Sequence, residues 1–345
     1  MTVAAASGDA RGLVALLEDE ITPLVAAGGA GVEPKVWEQA LTGLARELLA
    51  RPGKQFRARL VEMAFLLAGG NRSTLSPRVP LLVELLHAGS LIVDDIQDDS
   101  PVRRGGPALH VLCGMPLALN TGNWLYFAAF ELAGRLDLCA SRSLTLYQSL
   151  SRCLFRCHQG QALDLSIDVS TLRQRDLVAL ADAAAALKTG ALVGFAAELG
   201  AIAAGADDAA RASLASFGNE LGVALQRLDD AGGLLCPERA QKGHEDLACG
   251  RLTWVWGRLA SELDEIHFAS LQARLRRARS ERGGARRAAL DAIAGELATL
   301  IDETAKVEVS RSLETALAKL GESFPSHPVL DSIASEIARL KESYD

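Results

Sequence analysis

Apolar residues recur three and four positions apart along almost the whole chain of 345 residues. This spacing places them on one face of an α-helix, and the abundant alanine and leucine favour helix as well. Strand-forming aromatic runs are missing. The pattern predicts helices over 10–27, 34–50, 54–69, 78–99, 116–134, 141–166, 172–187, 189–204, 207–231, 252–281, 286–319 with a break, and 328–342.

Prolines stand mostly at the edges of these predicted helices, where a residue without a backbone N–H is tolerated. No internal repeat and no low-complexity linker divides the chain. We therefore expect a single all-α domain over 1–345, with 1–30 as an N-terminal helix or extension.

Two acidic clusters interrupt the apolar pattern, Asp94-Asp95-Ile96-Gln97-Asp98-Asp99 and Asp229-Asp230. Residues four apart share a helix face, so Asp94 would project together with Asp98. Like charges at that spacing destabilise a helix, which indicates that a cation binds there. Mg²⁺ prefers oxygen ligands and takes one or two carboxylates, with water and substrate phosphate in its remaining positions. The clusters therefore predict Mg²⁺-dependent diphosphate chemistry.

Basic residues follow the first cluster and also precede it. Pro101 ends the acidic helix, and Arg103 and Arg104 follow where the chain must turn. Arginine presents a planar fork of donors that fits phosphate oxygens. Upstream, Lys54 and Arg57 lie near a predicted helix start, where backbone N–H groups also favour anions. Carboxylates and arginines together predict a clamp for a metal and a diphosphate.

Composition narrows the class of protein. The hydrophobic fraction of 49% can cover a large core, and the net charge of -7 argues against general nucleic-acid binding. The six cysteines have no close paired spacing, so a reducing cytoplasm is the simplest compartment. The pattern predicts no stable membrane insertion. We interpret the arginine-rich stretch 274–287 as a solvated helix end and loop.

Several motifs together resemble the trans-isoprenyl diphosphate synthase family, also called polyprenyl synthetases, over residues of about 50–255. The DDxxD motif with its RRG-x-P-x-x-H segment is the most specific of them. The motifs are carried by Asp94–His110, by Gly53–Arg57 (GK-x-x-R), by His87, by 160–165 (GQ-x-x-D-L), by Lys188-Thr189, and by Gln226–Asp230 (Q-x-x-DD).

The resemblance implies a helical bundle of the isoprenoid synthase type with a central active-site cavity, about three Mg²⁺ ions, isoprenyl diphosphate substrates and a homodimer. It assigns metal binding to Asp94, Asp95, Asp98, Asp229 and Asp230. It assigns contacts with the allylic diphosphate to Arg103, Lys188, Gln226 and Lys242, and contacts with isopentenyl diphosphate to Lys54, Arg57, His87 and Arg104. The catalytic set is then Asp94, Asp95, Asp98, Arg103, Lys188 and Asp229.

Two of the departures from the family pattern lie in the second half of the match. Gly233 stands where the second aspartate-rich motif has its third carboxylate, and Arg251 stands where the GK-x-T pattern has lysine. Three hypotheses remain open: a prenyltransferase that condenses isopentenyl diphosphate with an allylic diphosphate, a terpene cyclase on the same scaffold, and a non-catalytic subunit of a heteromeric synthase. A cyclase needs no second diphosphate site, so the four residues assigned to isopentenyl diphosphate favour elongation.

Product length in this family is set by the side chains below the first motif. Gly89 and Ser90, the fifth and fourth residues before Asp94, are both small, and the sequence therefore predicts open space at this level and a product of about C20 or longer. The alternative is that Leu86 or the residues around Trp124 and Tyr126 close the tunnel.

Overall fold

Helices make up nearly all of the computed structural model, which describes residues 10–28, 31–301 and 304–342. The α-helices in chain order are α1 (Ala10–Glu20), α2 (Thr22–Gly28), α3 (Pro34–Trp37), α4 (Gly43–Leu49), α5 (Phe56–Leu67), α6 (Arg78–Gln97), α7 (Leu109–Cys113), α8 (Met115–Ala133), α9 (Ala140–Ser166), α10 (Gln174–Ala185), α11 (Ala191–Ala204), α12 (Asp208–Leu235), α13 (Ala240–Cys249), α14 (Trp254–Glu262), α15 (Glu265–Ser280), α16 (Gly283–Ile301), α17 (Thr304–Ser323) and α18 (Val329–Glu342). Single π-helical turns occur at Glu38–Thr42 and Ala186–Gly190, and 3₁₀ turns at Arg72–Thr74 and Pro237–Arg239. The predicted all-α class is confirmed.

The predicted helix boundaries differ from the structure in the C-terminal half. The segment predicted as one helix over 252–281 is two helices, because Leu263 has extended backbone and Asp264 starts a new helix. The Asp264 carboxylate accepts the N–H groups of Ile266 at 3.0 Å and His267 at 2.9 Å, which is the hydrogen bonding of an N-cap. Helix α13 was not predicted at all. In the N-terminal segment, α1 and α2 cover part of the predicted 1–30, while 1–9 and 29–30 lie outside the described residues.

A short β-hairpin follows α6 and was not predicted. Its strands are β1 (Val102–Arg103) and β2 (Gly106–Pro107), paired antiparallel. The two residues between the strands, Arg104 and Gly105, have φ angles of 49° and 75°. Positive φ at both positions is the geometry of a type I′ turn, whose twist matches that of the strands. The RRGG sequence therefore folds into the tight turn that presents both arginines.

The chain divides into two compact units, one of residues 1–151 and 196–212, the other of 152–195 and 213–345. In the first unit, α6 and α8 pack closely through glycine: a Cβ on Gly89 would lie 2.7 Å from the carbonyl oxygen of Gly122. In the second unit, Trp256 and Phe268 are buried edge to face, with ring centroids 6.1 Å apart. Each unit thus has an apolar core of its own.

One helical run, Gln174–Ala204, is long and apolar enough to cross a membrane by length and composition. It joins α10 and α11 through the π-helical turn Ala186–Gly190, and 44% of its most apolar window is buried in the protein. Core helices of globular proteins meet the same criteria. In this run, Lys188 carries an ion pair with Asp164, so the segment contains one of the predicted site residues.

Candidate active site

The first acidic cluster lies at the C-terminal end of α6, and the fold gives its four carboxylates different surroundings. Asp95 is 2% exposed, whereas Asp94 and Asp98 are half-buried. Asp98 is the C-cap of the helix. Asp99 lies beyond the helix end, where it has a positive φ of 51° and an exposed side chain. The helix thus ends before the pairing of Asp95 with Asp99 on one face can form.

Arg103 from β1 binds the buried carboxylate of Asp95. Its Nε donates to Oδ1 of Asp95 at 2.7 Å, and its Nη2 donates to the same oxygen. Burial raises the pKa of Asp95, and the bond to Arg103 opposes this shift. Burial would lower the pKa of Arg103, but the bond to Asp95 and the negative charges of Asp94 and Asp98 raise it. The guanidinium therefore stays charged beside the acidic helix end.

Two glycines of the motifs make room for two guanidinium groups. A Cβ on Gly53 would lie 3.0 Å from Cζ of Arg104, and a Cβ on Gly106 would lie 3.0 Å from Cζ of Arg51. Arg51 also donates to the carbonyl oxygen of Arg103 at 2.7 Å. The GK-x-x-R segment and the hairpin therefore pack against each other. Arg51 was not among the predicted site residues, although it lies two residues before Gly53.

Arg57 and His87 form a direct hydrogen bond between the start of α5 and the middle of α6. Nη1 of Arg57 lies 3.1 Å from Nε2 of His87. Arginine has no acceptor, so it donates and His87 accepts, which requires a neutral imidazole protonated on Nδ1. Burial, together with the charges of Arg57 and Arg104, lowers the pKa of His87 well below its usual value. His87 is therefore a neutral imidazole beside two guanidinium groups.

Glu84 lies one helical turn before His87 and was missed by the sequence analysis. Its side chain is 3% exposed, and its Oε1 accepts the backbone N–H of Ala58 at 3.2 Å. Burial raises the pKa of Glu84, while Arg57 and Arg104 lower it. A carboxylate at this depth holds the N-terminal turn of α5 and partly balances the arginines. Its spacing of three residues before His87, on the same face of α6, was the available signal.

The carboxylate oxygens at the end of α6 are the type of ligand that Mg²⁺ prefers. Within the described residues, however, no group of three histidine, cysteine, aspartate or glutamate side chains is arranged to hold a metal ion. Mg²⁺ commonly uses one or two carboxylates and completes its octahedron with water and phosphate oxygens. Asp94 and Asp98, with Asp95 behind them, would hold the ion together with a diphosphate. The chemistry that Mg²⁺ supplies there is stabilisation of negative charge on the leaving diphosphate.

In the second unit, Lys188 lies in the π-helical turn between α10 and α11. Single π turns inside α-helices occur frequently at functional sites. A Cβ on Gly160 would lie 2.7 Å from the carbonyl carbon of Leu187, so the glycine of the GQ-x-x-D-L motif lets α9 approach the turn. Nζ of Lys188 binds Oδ2 of Asp164 at 2.7 Å. Asp164 was left out of the predicted site, and the structure pairs it with a predicted substrate ligand.

A chain of hydrogen bonds runs from the π turn to the second acidic cluster. The Thr189 hydroxyl donates to Oε1 of Gln226 at 2.6 Å, and Nε2 of Gln226 donates to Oδ1 of Asp230 at 2.8 Å. Oδ2 of Asp230 accepts the backbone N–H of Trp254 at 2.7 Å, at the first residue of α14. Asp230 is 7% exposed. Both carboxylate oxygens of Asp230 thus accept hydrogen bonds inside the fold, and one of them caps the N-terminus of α14. The role of Asp230 in metal binding stays a prediction.

Asp229 is half-buried and forms ion pairs with two cations. Nη2 of Arg239 binds Oδ1 of Asp229, and Nζ of Lys242 binds Oδ2. Arg239 follows the two glycines of the altered motif by a few residues and was not predicted. Arg251, the residue that replaces a lysine of the family pattern, donates to the carbonyl oxygen of Asp164 at 2.6 Å. The arginine therefore fixes the C-terminal part of α9 beside Lys188.

Replacing Asp230 by asparagine should change how stability depends on pH. Burial raises the pKa of Asp230 from 3.8 to about 7, despite the bonds from Trp254 and Gln226. Between these values the folded protein keeps a proton that the unfolded chain releases, so this residue makes stability fall as pH rises from 3.8 to about 7. In Asp230→Asn that contribution disappears, because the amide does not titrate and the Gln226 amide can reverse to pair with it.

Urea denaturation at several pH values checks this prediction. The free energy of unfolding of Asp230→Asn, relative to wild type, should increase between pH 5 and pH 8. The exposed Asp331→Asn, on α18, serves as a control and should leave the pH dependence unchanged. A constant difference between Asp230→Asn and wild type over this range would contradict the raised pKa.

The expectation of open space at Gly89 is wrong. A Cβ on Gly89 would lie 2.7 Å from the carbonyl oxygen of Gly122 and 3.0 Å from the ring of Tyr126. Gly89 therefore serves the close contact of α6 with α8, and the Tyr126 ring occupies the adjoining volume. Ser90 is half-buried, and its hydroxyl donates to the carbonyl oxygen of His87 at 2.8 Å.

The arginine-rich stretch 274–287 is held mostly by contacts within the fold. Arg279 binds Asp168 at 2.6 Å, Arg274 forms an ion pair with Glu296, and Arg276 donates to the carbonyl oxygen of Ser170. These bonds join α15 to α16 and to the loop after α9. The stretch covers the end of α15, a short loop and the start of α16, but the three arginines named here are bound to the fold, so the interpretation of the stretch as solvated does not describe them.

The all-α fold carries an aspartate-rich helix end, an arginine hairpin and a lysine-bearing π turn, which are the motif residues expected of a prenyltransferase. The chain belongs to the polyprenyl synthetase family, whose sequence model matches residues 38–293. The family assignment made from the motifs is confirmed.

Known relatives support this assignment along the chain. A short chain isoprenyl diphosphate synthase from Methanothermobacter thermautotrophicus is 31% identical over 68% of this chain and 72% of its own. A geranylgeranyl diphosphate synthase from Sulfolobus acidocaldarius is 30% identical, and the match spans 61% of each protein. A crystal structure of geranylgeranyl pyrophosphate synthase from Corynebacterium glutamicum, complexed with isoprenyl diphosphate and magnesium, superposes with a TM-score of 0.78 at 21% identity, covering 96% of this chain and 97% of that one. This last likeness shows the fold.

Proposed function

We propose that this protein is a Mg²⁺-dependent prenyltransferase that condenses isopentenyl diphosphate with an allylic diphosphate to a longer polyprenyl diphosphate. Space at Gly89 does not support a product of about C20 or longer, so this length rests on relatives such as the geranylgeranyl diphosphate synthase of Sulfolobus acidocaldarius. The observation that carries the proposal is the group of basic side chains in the first unit, where Arg57 donates to a neutral His87 and Arg104 packs over Gly53. Two guanidinium groups beside a hydrogen-bonding imidazole suit a second diphosphate. Lys54, next to Gly53 in the chain, is exposed.

The proposed reaction needs charge stabilisation and no side-chain nucleophile. The allylic C–O bond breaks with its electron pair on the departing diphosphate, and Arg103 stabilises that charge. Lys188, Gln226 and Lys242 are proposed to contact the same diphosphate. The alkene of isopentenyl diphosphate then forms a C–C bond with the allylic cation, and the released diphosphate accepts the proton lost from the adduct. The residues that hold isopentenyl diphosphate orient its alkene toward the cation.

A terpene cyclase on the same scaffold is the second candidate, and the altered second motif is the observation that favours it. A cyclase would trap the cation with double bonds of the same substrate and would not need Arg57 and His87 to hold a second diphosphate. A non-catalytic subunit is the third candidate. The intact first motif argues against a non-catalytic subunit. A subunit without turnover would not need Asp94, Asp95 and Asp98, nor the ion pair of Asp95 with Arg103.

One set of incubations separates the three candidates. The purified protein is incubated with Mg²⁺ and geranyl or farnesyl diphosphate, with and without labelled isopentenyl diphosphate, and the products are analysed by mass spectrometry. We expect a longer prenyl diphosphate only when isopentenyl diphosphate is present. Hydrocarbon formed without isopentenyl diphosphate would favour the cyclase, and absence of turnover in every mixture would favour the subunit.

Product length is predicted to depend on Tyr126. Its ring lies against Gly89, so Tyr126→Ala would open space beside α6 at the cost of a cavity. We expect the variant to make a main product at least one isoprene unit longer than the wild type. Tyr147→Ala, which removes a ring that stacks on Phe130 with centroids 6.1 Å apart, is the matched control. Mass spectrometry measures the chain length of the main product in both variants. An unchanged product in Tyr126→Ala would show that the growing end of the prenyl chain does not lie beside Tyr126.

We further propose a homodimer, because the first unit exposes an apolar face along α7 and α8. Leu112 is 49% exposed, Met115 57%, Leu119 39% and Phe127 68%. On α8, Met115, Leu119 and Phe127 are separated by four and then eight residues, which places them on one side of the helix. Phe127→Asp should shift the protein to monomer in light scattering after size-exclusion chromatography. Val307→Asp, a control at a 57% exposed position of α17, should remain a dimer. If Phe127→Asp also remains a dimer, the face along α7 and α8 is not the interface.

The remaining expectations fit this proposal. A single functional domain over 1–345, no nucleic-acid partner, no stable membrane insertion and a cytoplasmic location stay predictions of the sequence.

A further inference from the structure

The two glycines that replace part of the second aspartate-rich motif have a structural use. A Cβ on Gly232 would lie 3.3 Å from Nη1 of Arg239 and 3.6 Å from its Cδ, so the missing side chain leaves space for that arginine. A Cβ on Gly233 would lie 3.2 Å from both N and Cα of Gly243, and a Cβ on Gly243 would overlap the carbonyl oxygen of Gly233. The altered motif therefore lets α13 pack against α12 and brings Arg239 over Asp229.

The side chains in direct contact with Asp229 are cationic, while the acidic groups Asp164 and Asp246 act on the neighbouring Asp230. Asp229 contributes one negative charge, while Arg239 and Lys242 contribute two positive charges, each in direct contact with a different carboxylate oxygen. Arg239 is also the N-cap residue of α13, and Lys242 is in the first turn of that helix, where the helix dipole is positive. A divalent cation at Asp229 would meet this positive charge and would have to displace both partners. A diphosphate would be attracted by it.

The other carboxylate of the motif does not offer a metal site either. Oδ1 of Asp230 accepts from Gln226 and Oδ2 accepts from the backbone of Trp254, and the side chain is 7% exposed. A third carboxylate is absent because position 233 is glycine and faces the backbone of α13. The residues present therefore do not fit a Mg²⁺ ion at this cluster.

We infer that the second acidic cluster binds the substrate diphosphate directly through Arg239 and Lys242 and holds no divalent cation, while Asp229 positions the two cations. The inference rests on the proposed function for the identity of the substrate. It removes the metal site that the family pattern implies for Asp229 and Asp230, and it adds Arg239 to the residues that recognise diphosphate.

Binding of inorganic diphosphate without divalent cations tests the direct contact. Titration calorimetry in EDTA should show binding about 10- to 100-fold weaker in Arg239→Leu, because a charge-assisted hydrogen bond is lost. Asp229→Asn should bind about 10-fold more tightly than wild type, because the asparagine no longer competes with diphosphate for the cations. Arg239→Lys keeps the positive charge and should retain most of the affinity. It serves as the second variant if Arg239→Leu fails to fold. Arg287→Leu, on α16, is the matched control, since that arginine is 69% exposed.

The sign of the Asp229→Asn effect separates this inference from metal binding at Asp229. The number of Mn²⁺ ions bound in the presence of excess inorganic diphosphate, counted by electron paramagnetic resonance, should be equal in Asp229→Asn and wild type. Loss of one ion in Asp229→Asn, weaker diphosphate binding in that variant, or unchanged binding in Arg239→Leu would each overturn the inference. None of these measurements uses turnover, so failure of the proposed prenyl transfer would be seen separately in the incubations with isopentenyl diphosphate.

Discussion

Asp94→Asn is expected to lower the rate of prenyl transfer at least about 100-fold while leaving the free energy of unfolding nearly unchanged. Asp94 is half-buried at the end of α6 and is proposed to hold Mg²⁺ together with Asp98 and the allylic diphosphate. An amide of the same shape keeps the packing but removes the negative charge that binds the cation. Steady-state kinetics with increasing Mg²⁺ and urea denaturation measure the two effects.

The adjacent sequence offers a matched control for this variant. Asp99→Asn removes the same charge from the same cluster, but Asp99 is exposed and lies beyond the helix with a φ of 51°. Asparagine tolerates this left-handed backbone conformation, so the fold should be retained. The rate should change by less than about 3-fold, because exposed charges contribute little. Equal losses in both variants would show that the cluster acts through its total charge and not through bound ligands.

Arg103→Leu is expected to lower the free energy of unfolding by about 3 kcal/mol and to abolish measurable prenyl transfer. The substitution leaves the carboxylate of Asp95, which is 2% exposed, without the guanidinium that binds it. Removal of one partner of a buried ion pair is costly because the remaining charge cannot reach water. The value lies at the lower end of the usual range, because Arg103 itself is 30% exposed.

Two comparisons make this prediction specific. Arg173→Leu breaks an exposed ion pair with Asp176 of 2.7 Å and should cost less than about 0.5 kcal/mol. In the double variant Asp95→Asn/Arg103→Leu, the neutral amide needs no cation, so part of the lost stability should return. Urea denaturation of the four proteins gives the comparison. A cost in Arg103→Leu no larger than in Arg173→Leu would contradict a buried pair.

The fold class could be predicted because it depends on local periodicity. Apolar positions three and four apart define a helix face wherever they occur, and α6 with its aspartates follows directly from that pattern. The hairpin at 102–107 was missed because its strands have only two residues each. Helix α13 was missed because its apolar face is short and glycine interrupts it. Gly89 was misread because its neighbour Tyr126 comes from another helix.

The sequence by itself determined the all-α class, the family, and the chemical character of the site, because motif residues and helical periodicity are local properties of the chain. Only the tertiary structure decided what each carboxylate does. Asp95 pairs with Arg103, Asp230 accepts the N–H of Trp254, and Asp229 binds Arg239. These partners lie 8, 24 and 10 residues away in sequence. Burial and partner choice arise only when helices pack, and they separate a carboxylate that can hold a metal from one that supports the fold.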